Sequence, residues 1–327
     1  MNLNLEQIRA CARGISQVRE AGPGWELLRF TTSHLEHLSG VMREKEVDRA
    51  GCSAGIALAF ETDSDRLYID ATVGKGARDA CFIDVWTDER FTAIIGDTKP
   101  GNRIESEILF PRSSRRRHVT LYLPHTRAMT LSMVGMAEDA AFRPADRRPV
   151  LLTLGDSITQ GMDSLHPSQT YAAVLARQLG MDLHNQGIGG AVFDSATLPT
   201  VPVPGVELIT VAFGVNDWIR GRPPEAASSY LARILEQYPG VPVVVFEPVW
   251  YPHGDEVDRV PPEREIPFSA YRQGLRDVVR QFESIPFVPR DQLLPSASLT
   301  LLDGVHPNTL GQIIYGNNAA RACSPLR

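Results

Sequence analysis

Two textures of hydrophobic patterning divide this chain. Between residues 51 and 136, short runs rich in β-branched and apolar residues recur between turn clusters, at 54–60, 66–73, 81–87, 91–96, 104–109, 118–123 and 127–134. Several alternate apolar with polar, as in Arg66-Leu67-Tyr68-Ile69-Asp70-Ala71-Thr72 and His118-Val119-Thr120-Leu121-Tyr122-Leu123. Alternation at period two marks a strand with one buried face, and about seven such strands at this spacing predict an antiparallel β-sandwich, jelly-roll-like in character. After residue 150 the pattern changes. Apolar runs at 150–154, 206–213, 241–246 and 285–288 alternate with amphipathic stretches at 170–179, 224–238 and 269–282, and a last helix is expected after Pro307. Strands read as near-continuous apolar runs when helices cover both faces of their sheet. This order therefore predicts an α/β fold, a parallel sheet in three α/β/α layers.

Residues 137–149 are charged, carry two prolines and show no period. A domain boundary is expected there, giving an all-β domain over 1–146 with a short leading segment and an α/β domain over 147–327. The first 40 residues are mixed, with some helical character.

In open parallel sheets, sites form at the carboxyl ends of the strands; one stretch follows the first of these strands and three others fall at the ends of later elements. Gly155-Asp156-Ser157 ends the first apolar run, where a strand turns towards a helix and a serine hydroxyl is offered outward. Asn185-Gln186-Gly187-Ile188-Gly189-Gly190 is glycine-rich, so backbone amides can approach a ligand closely. Gly214-Val215-Asn216-Asp217 follows another strand and offers an amide side chain, with Asp217 better suited to a turn or cap. Asp303-Gly304-Val305-His306 precedes the final helix, its three-residue offset presenting a carboxylate and an imidazole from one loop.

Those residue types match the needs of acyl transfer. A serine hydroxyl attacks only when a base takes its proton. His306 is the candidate base and later proton donor, and Asp303 would fix its tautomer and stabilise its cation. The oxyanion of the tetrahedral intermediate needs donors, for which the Ser157 and Gly190 amides and the Asn216 side chain are candidates. Asp156, Trp218 and Trp250 are further candidates for substrate contact, the two indoles by stacking on a sugar ring; packing is the alternative for both.

In order along the chain, Gly155-Asp156-Ser157-Ile158-Thr159, Gly190, Gly214-Val215-Asn216-Asp217 and Asp303-Gly304-Val305-His306 resemble the four blocks of the SGNH (GDSL-type) hydrolases. The resemblance spans roughly residues 150–320. It implies a five-stranded parallel sheet between helices, a Ser157–His306–Asp303 triad and an oxyanion hole completed by Gly190 and Asn216. Gly189 is a departure, since relatives often carry serine there; Gly187 and Gly189 therefore stand beside Gly190 as alternative donors. An all-β domain ahead of such a domain resembles the carbohydrate esterases of the second family. The implied activity is hydrolysis of small acyl esters, acetyl esters of a carbohydrate or polyol first, with no cofactor or metal. Transfer of the acyl group to a hydroxyl acceptor, or a sugar-binding protein with an idle catalytic half, are the alternatives.

Composition narrows the rest. With 43% hydrophobic and 22% charged residues over 327 positions, each half can bury a core, and a net charge of −6 does not suit a nucleic-acid binder. No apolar run approaches the ~20 residues needed to span a bilayer, and the opening stretch lacks the basic and apolar parts of a secretory signal. Cys11, Cys52, Cys81 and Cys323 are scattered without metal-type spacing, which predicts free thiols and a cytoplasmic protein. His34 and His37 share a helical face but lack a third ligand nearby, so they are expected at a surface or cap. Gly74-Lys75-Gly76 is expected in a hairpin turn, and Arg115-Arg116-Arg117-His118 in a solvated turn before a strand. The proline- and charge-rich stretch 251–267 is a candidate lid or homo-oligomer contact.

Overall fold

All seven of the expected N-terminal strands form, and the alternation within them is what gives each sheet a wet and a dry side. The computed structural model describes residues 1–111, 115–255 and 266–326. Its N-terminal strands are β1 (Ala12–Arg13), β2 (Gln17–Ala21), β3 (Gly24–Leu28), β4 (Ala57–Thr62), β5 (Arg66–Gly76) and β6 (Cys81–Thr87). They continue as β7 (Arg90–Asp97), β8 (Arg103–Leu109), β9 (Arg117–Tyr122), β10 (Arg127–Met136) and β11 (Phe142–Pro144). One antiparallel sheet runs β1-β4-β9-β6-β7, with β11 added beside β4, and the other runs β2-β3-β10-β5-β8. Leu58, Phe60, Ile83, Val119 and Leu121 of the first share a buried cluster with Leu27, Leu67, Ile69, Leu131 and Val134 of the second. The two sheets therefore pack face to face as a sandwich.

Two expectations for this half need correction. The β2–β3 hairpin lies in the stretch that showed only mixed, partly helical character; its strand Gln17–Ala21 has no buried residue, so it carries little apolar signal. Gly74 and Gly76 are not in a connecting turn but at the end of β5, where Gly76 pairs with Arg127 of β10 across a register shift. A Cβ on Gly76 would lie 2.1 Å from the Thr126 carbonyl oxygen and one on Gly74 would lie 3.1 Å from the Ala128 Cβ, so both glycines admit a close backbone approach. Of the basic run, Arg117 and His118 open β9, with the Arg117 guanidinium over the Phe110 ring at 4.9 Å.

The second half contains β12 (Val150–Gly155), β13 (Asp182–Gly187), β14 (Val206–Ala212), β15 (Val243–Phe246) and β16 (Phe287–Val288), all parallel in the order β13-β12-β14-β15-β16. Helices α1 (Leu5–Cys11), α2 (Thr32–Val41) and α3 (Glu44–Ala50) precede the sandwich core; α4 (Ser157–Gln160), α5 (Tyr171–Gln178), α6 (Val215–Ile219), α7 (Ala226–Gln237), α8 (Pro252–Asp255), α9 (Phe268–Val279) and α10 (Thr309–Cys323) belong to the second half. Successive sheet residues point to opposite faces. Leu152, Ile209, Val211 and Val243 pack with Tyr230 and Leu231 of α7 and with Tyr271 and Leu275 of α9. Leu151, Leu208 and Val244 pack with Leu175 of α5 and with Tyr315 and Ala319 of α10. The result is a three-layer α/β/α arrangement. Among the described residues no helix is long and apolar enough to cross a membrane. Residues 256–265, the greater part of the expected lid or oligomer contact, lie outside the described residues.

The seam between the halves is close-packed and polar. Arg29, 1% exposed, donates to the carbonyls of Ala50, Cys52 and Arg49 on one side and of Asn185 and Gly187 at the end of β13 on the other. Burial pushes its pKa down to about 10, and the five carbonyls are what make the buried cation tolerable. Helices α2 and α3 also sit on the parallel sheet, since Phe30, Leu38 and Ala50 join the core of α7 and α9. His34 Nε2 and His37 Nε2 lie 3.1 and 2.8 Å from the carbonyls of Thr197 and Ala196, so the pair docks α2 onto this layer. On the opposite side, buried Asp84 of β6 accepts from Ser168 N at 2.9 Å and contacts His166 Nδ1 at 3.0 Å. All four cysteines are free and buried.

Gly55 meets β13 so closely that an added Cβ would lie 2.5 Å from the Asn185 Cβ, and its φ is +77°. Gly55→Ala is expected to destabilise the protein by about 1–3 kcal/mol in denaturant unfolding. An unchanged midpoint would contradict this account of the seam.

Candidate active site

The site begins with a strand that stops abruptly. A Cβ on Gly155 would collide with Thr159 Oγ1 at 2.0 Å and the Ala212 carbonyl oxygen at 2.6 Å, so only glycine lets β12 end between β14 and α4. Asp156 then caps α4, its Oδ1 accepting from Ile158 N at 2.9 Å. This turn presents Ser157 at the first helical position. His306 is delivered from the other end of the chain by the loop before α10, where Asp303 Oδ1 accepts from Val305 N at 3.0 Å and His306 N at 2.8 Å. Those two bonds fold the loop around the carboxylate.

The three side chains meet. His306 Nε2 lies 2.8 Å from Ser157 Oγ, and His306 Nδ1 lies 2.7 Å from Asp303 Oδ2. A carboxylate accepts from Nδ1–H, which leaves Nε2 as the acceptor for the serine hydroxyl. A second carboxylate that sequence reasoning missed stands beside the first. Asp163 Oδ2 is 3.3 Å from His306 Nδ1, and Asp163 Oδ1 accepts from Arg78 Nε at 2.6 Å. Asp163 lies six residues after Ser157, so only its nearness to the serine turn could have marked it; nothing in the sequence singles out Arg78. Burial works against the imidazolium, but the carboxylates of Asp163 and Asp303 outweigh it and hold His306 above its ordinary value of 6.5. Burial would raise Asp163, yet His306 and Arg78 keep it well below the usual carboxylate range. The atoms of Asp163, Asp303 and His306 lie within 4.8 Å of one another, close enough to hold a cation. The Arg78 guanidinium already supplies positive charge at that spot.

The candidate oxyanion donors separate by what their hydrogens already do. Gly187 N donates to Asn185 Oδ1 at 2.7 Å, and Gly189 N donates to Gln160 Oε1 at 2.8 Å. Neither amide is free. The Gly190 N–H meets no acceptor among the described residues. Its φ of +93° suits glycine, and an added Cβ would lie 2.8 Å from Glu46 Oε1. The Gly190 carbonyl is turned the other way, towards Arg220, which also pairs with Glu46 at 2.5 Å. Asn216 Nδ2 donates to the Ala191 carbonyl at 3.2 Å and reaches Asp156 Oδ2 at 3.4 Å. The second contact is at the long limit of a hydrogen bond, so that hydrogen is easily redirected.

The remaining candidates are engaged in structural contacts. Asp156, 3% exposed, is absorbed by the cap and the Asn216 contact; burial foremost pushes its pKa up to about 7. Trp218 is 3% exposed, donates Nε1–H to the Ile266 carbonyl at 2.9 Å and packs against Phe268 and Tyr251. Trp250 is likewise buried. The Trp218 indole is thus a packing ring of the core. Asp217 accepts from Phe193 N at 3.1 Å, as a turn carboxylate would. A cavity of about 370 Å³ opens between the halves beside Asp163, lined among others by Arg78, Phe82, Pro124, Leu165, Leu302 and Thr309.

Residues 153–313 match the GDSL-like Lipase/Acylhydrolase family, and the chain carries a domain of that family. No curated protein matches the chain significantly in sequence. Among solved structures it is similar to the salicylyl-acyltransferase SsfX3 from a tetracycline biosynthetic pathway, with 19% identity and a TM-score of 0.81 over 96% of this chain and 94% of that one. It is also similar to a candidate GDSL-like lipase from Bacteroides ovatus ATCC 8483, with 17% identity and a TM-score of 0.75 over 100% of this chain and 97% of that one. A family two carbohydrate esterase from Clostridium thermocellum matches with 11% identity and a TM-score of 0.63 over 84% of this chain and 94% of that one. At these identities the likeness is one of fold.

Gln160 ties the glycine loop to the sandwich side. Its Oε1 accepts from Gly189 N while its Nε2 donates to the carbonyls of Arg49 and His125, each at 3.2 Å, with the side chain fully buried. Gln160→Ala strands these groups and is expected to cost about 2–4 kcal/mol. Thermal unfolding of the variant at the wild-type temperature would contradict it.

Proposed function

We propose that the protein is a serine esterase that cleaves small acyl esters through a covalent acyl-enzyme, with Ser157 as nucleophile, His306 as general base and acid, and Asp303 as the orienting carboxylate. The observation that carries this reading is the 2.8 Å contact between His306 Nε2 and Ser157 Oγ, made by residues 149 positions apart. Ser157 Oγ attacks the ester carbonyl as its proton passes to Nε2. The oxyanion is met by the amides of Ser157 and Gly190 and by the Asn216 side chain, whose long bond to Asp156 is given up as the charge develops. The imidazolium then returns its proton to the leaving alkoxide, and a water repeats the sequence to release the acid.

An acetyl or similarly short acyl group on a carbohydrate or polyol is the substrate class first in line. The fold likeness to a carbohydrate esterase supports it. Transfer to a hydroxyl acceptor is the second reading. It uses the same intermediate, and one structural neighbour is a salicylyl-acyltransferase. We treat 1–146 and 147–327 as the two units of the chain, with α2 and α3 of the first packed on the sheet of the second.

Ser157→Ala is expected to lower kcat/KM for a short p-nitrophenyl ester by about 10⁴-fold or more, with unfolding unchanged. Retained turnover would refute the assignment. Release of acid without any acceptor supports hydrolysis; turnover only with an added alcohol supports transfer. Because the base must be neutral and His306 is held above 6.5, kcat/KM is expected to rise with pH through a midpoint above that value. A profile flat from about pH 5 to 8 would contradict the role of His306.

A further inference from the structure

We propose that Asp163 is a second positioning residue for His306, and that Arg78 holds it in place from the β-sandwich. The proposal deepens the esterase reading and rests on it for its kinetic consequences only. Two carboxylates address one ring nitrogen, Asp303 at 2.7 Å and Asp163 at 3.3 Å. They differ in surroundings. The Asp303 side chain is 42% exposed, whereas that of Asp163 is 5% exposed. Water screens the first charge far more than the second. Asp163 is therefore the dry, fixed member of the pair.

Its placement is built at a cost. Asp163 adopts φ +67°, the left-handed region that a residue with a Cβ enters at about 1–3 kcal/mol. That conformation follows Gly161, itself at φ +97°, which ends α4, so one turn carries both Ser157 and Asp163. A buried carboxylate also needs a partner, and Arg78 Nε supplies it at 2.6 Å. Arg78 is fixed in turn. Its Nη1 donates to the Ala77 carbonyl at 3.0 Å, and its own carbonyl accepts from Arg127 Nη1 at 3.3 Å. Arg78 precedes β6 and Arg127 opens β10, so both belong to the sandwich. The chain Arg78–Asp163–His306–Ser157 thus runs from one half of the molecule to the other. Without the sandwich, Asp163 would be a strained acid deprived of its guanidinium partner.

Other charged or titratable groups around the imidazole are few. Asp156 lies on the serine turn, His125 Nε2 is 3.1 Å from the Ser164 carbonyl next to Asp163, and His253 Nε2 is 3.5 Å from where a Cβ on Gly304 would stand. None of these contacts Nδ1. Asp303 and Asp163 together are what stabilise the imidazolium formed as Ser157 attacks, and with either lost the other still orients the ring. This predicts a mild Asp303→Asn phenotype.

The test is an NMR titration of the ¹⁵N-labelled His306 imidazole, its signals assigned by their loss in His306→Ala among the eight histidines. Asp163→Asn is expected to lower the His306 pKa by about one unit or more. Asp163→Glu keeps the charge and is expected to retain most of the wild-type value, which a merely structural role would not produce. The double variant Asp163→Asn/Asp303→Asn should fall below either single variant, and the acid limb of kcat/KM should move with it. If Asp163→Asn fails to fold, Arg78→Gln/Asp163→Asn leaves no buried charge unpaired and should show the same fall. An unchanged His306 pKa in folded variants lacking the Asp163 carboxylate, with the whole shift appearing in Asp303→Asn, would overturn the proposal. The titration needs no substrate. A chain inert to esters but showing the fall would retire the esterase reading alone, and an active chain without the fall would retire this one alone.

Discussion

The arrangement depends on one imidazole having both of its nitrogens committed. If His306 is to accept a proton at Nε2, Nδ1 must carry the hydrogen, and a carboxylate at Nδ1 is what selects that tautomer. Every local feature of the rim serves this condition. Asp303 folds its loop by accepting two backbone amides and still reaches Nδ1 with its other oxygen. The glycine at the end of β12 permits the tight turn that brings Ser157 beneath Nε2. On the proposed reading, a rotated ring, or one held by the wrong nitrogen, would leave the serine a poor nucleophile in an otherwise intact fold.

What keeps that rim from relaxing is the seam behind it. Arg29 draws five backbone carbonyls together from both halves. Gln160 does the same with an amide, and in doing so uses the Gly189 N–H. Among the described residues, the Gly190 N–H of the same loop has no such acceptor. The sandwich is thus more than an appended module. It contributes the carbonyls that lock the loop, and Arg78 reaches the buried acid beside the imidazole.

Two of the four motif blocks, those of Ser157 and Asn216, were legible because each falls just after an apolar run, where open α/β sheets place their chemistry; the other two were legible by residue type, as clustered glycines and an Asp–His pair three apart. The strand feeding the glycine loop was not legible. In β13, His184, Asn185 and Gln186 are buried, and a sequence pattern cannot tell a satisfied buried polar strand from a loop. Their partners are tertiary: His184 Nε2 meets the Arg29 carbonyl at 3.0 Å, and Asn185 Nδ2 donates to the Thr159 carbonyl at 2.7 Å. The β2–β3 hairpin escaped for the opposite reason, since the β2 strand buries nothing and so shows no apolar rhythm. Trp218 and Trp250 both follow strand ends, where sequence leaves substrate contact and packing equally open, and the Trp218 ring fills the core behind the site. Asp163 and Arg78 carry no local signature at all; they are 85 residues apart and become a pair only once the halves meet.

The most direct test of the central claim is to catch the intermediate. The protein is mixed briefly with a short p-nitrophenyl ester, quenched in acid and examined by intact-mass and peptide-mapping mass spectrometry. A single acyl group on the peptide containing Ser157, absent from His306→Ala treated in the same way, is the predicted result. Acylation at another residue, or equal acylation of Ser157 without the imidazole, would contradict it.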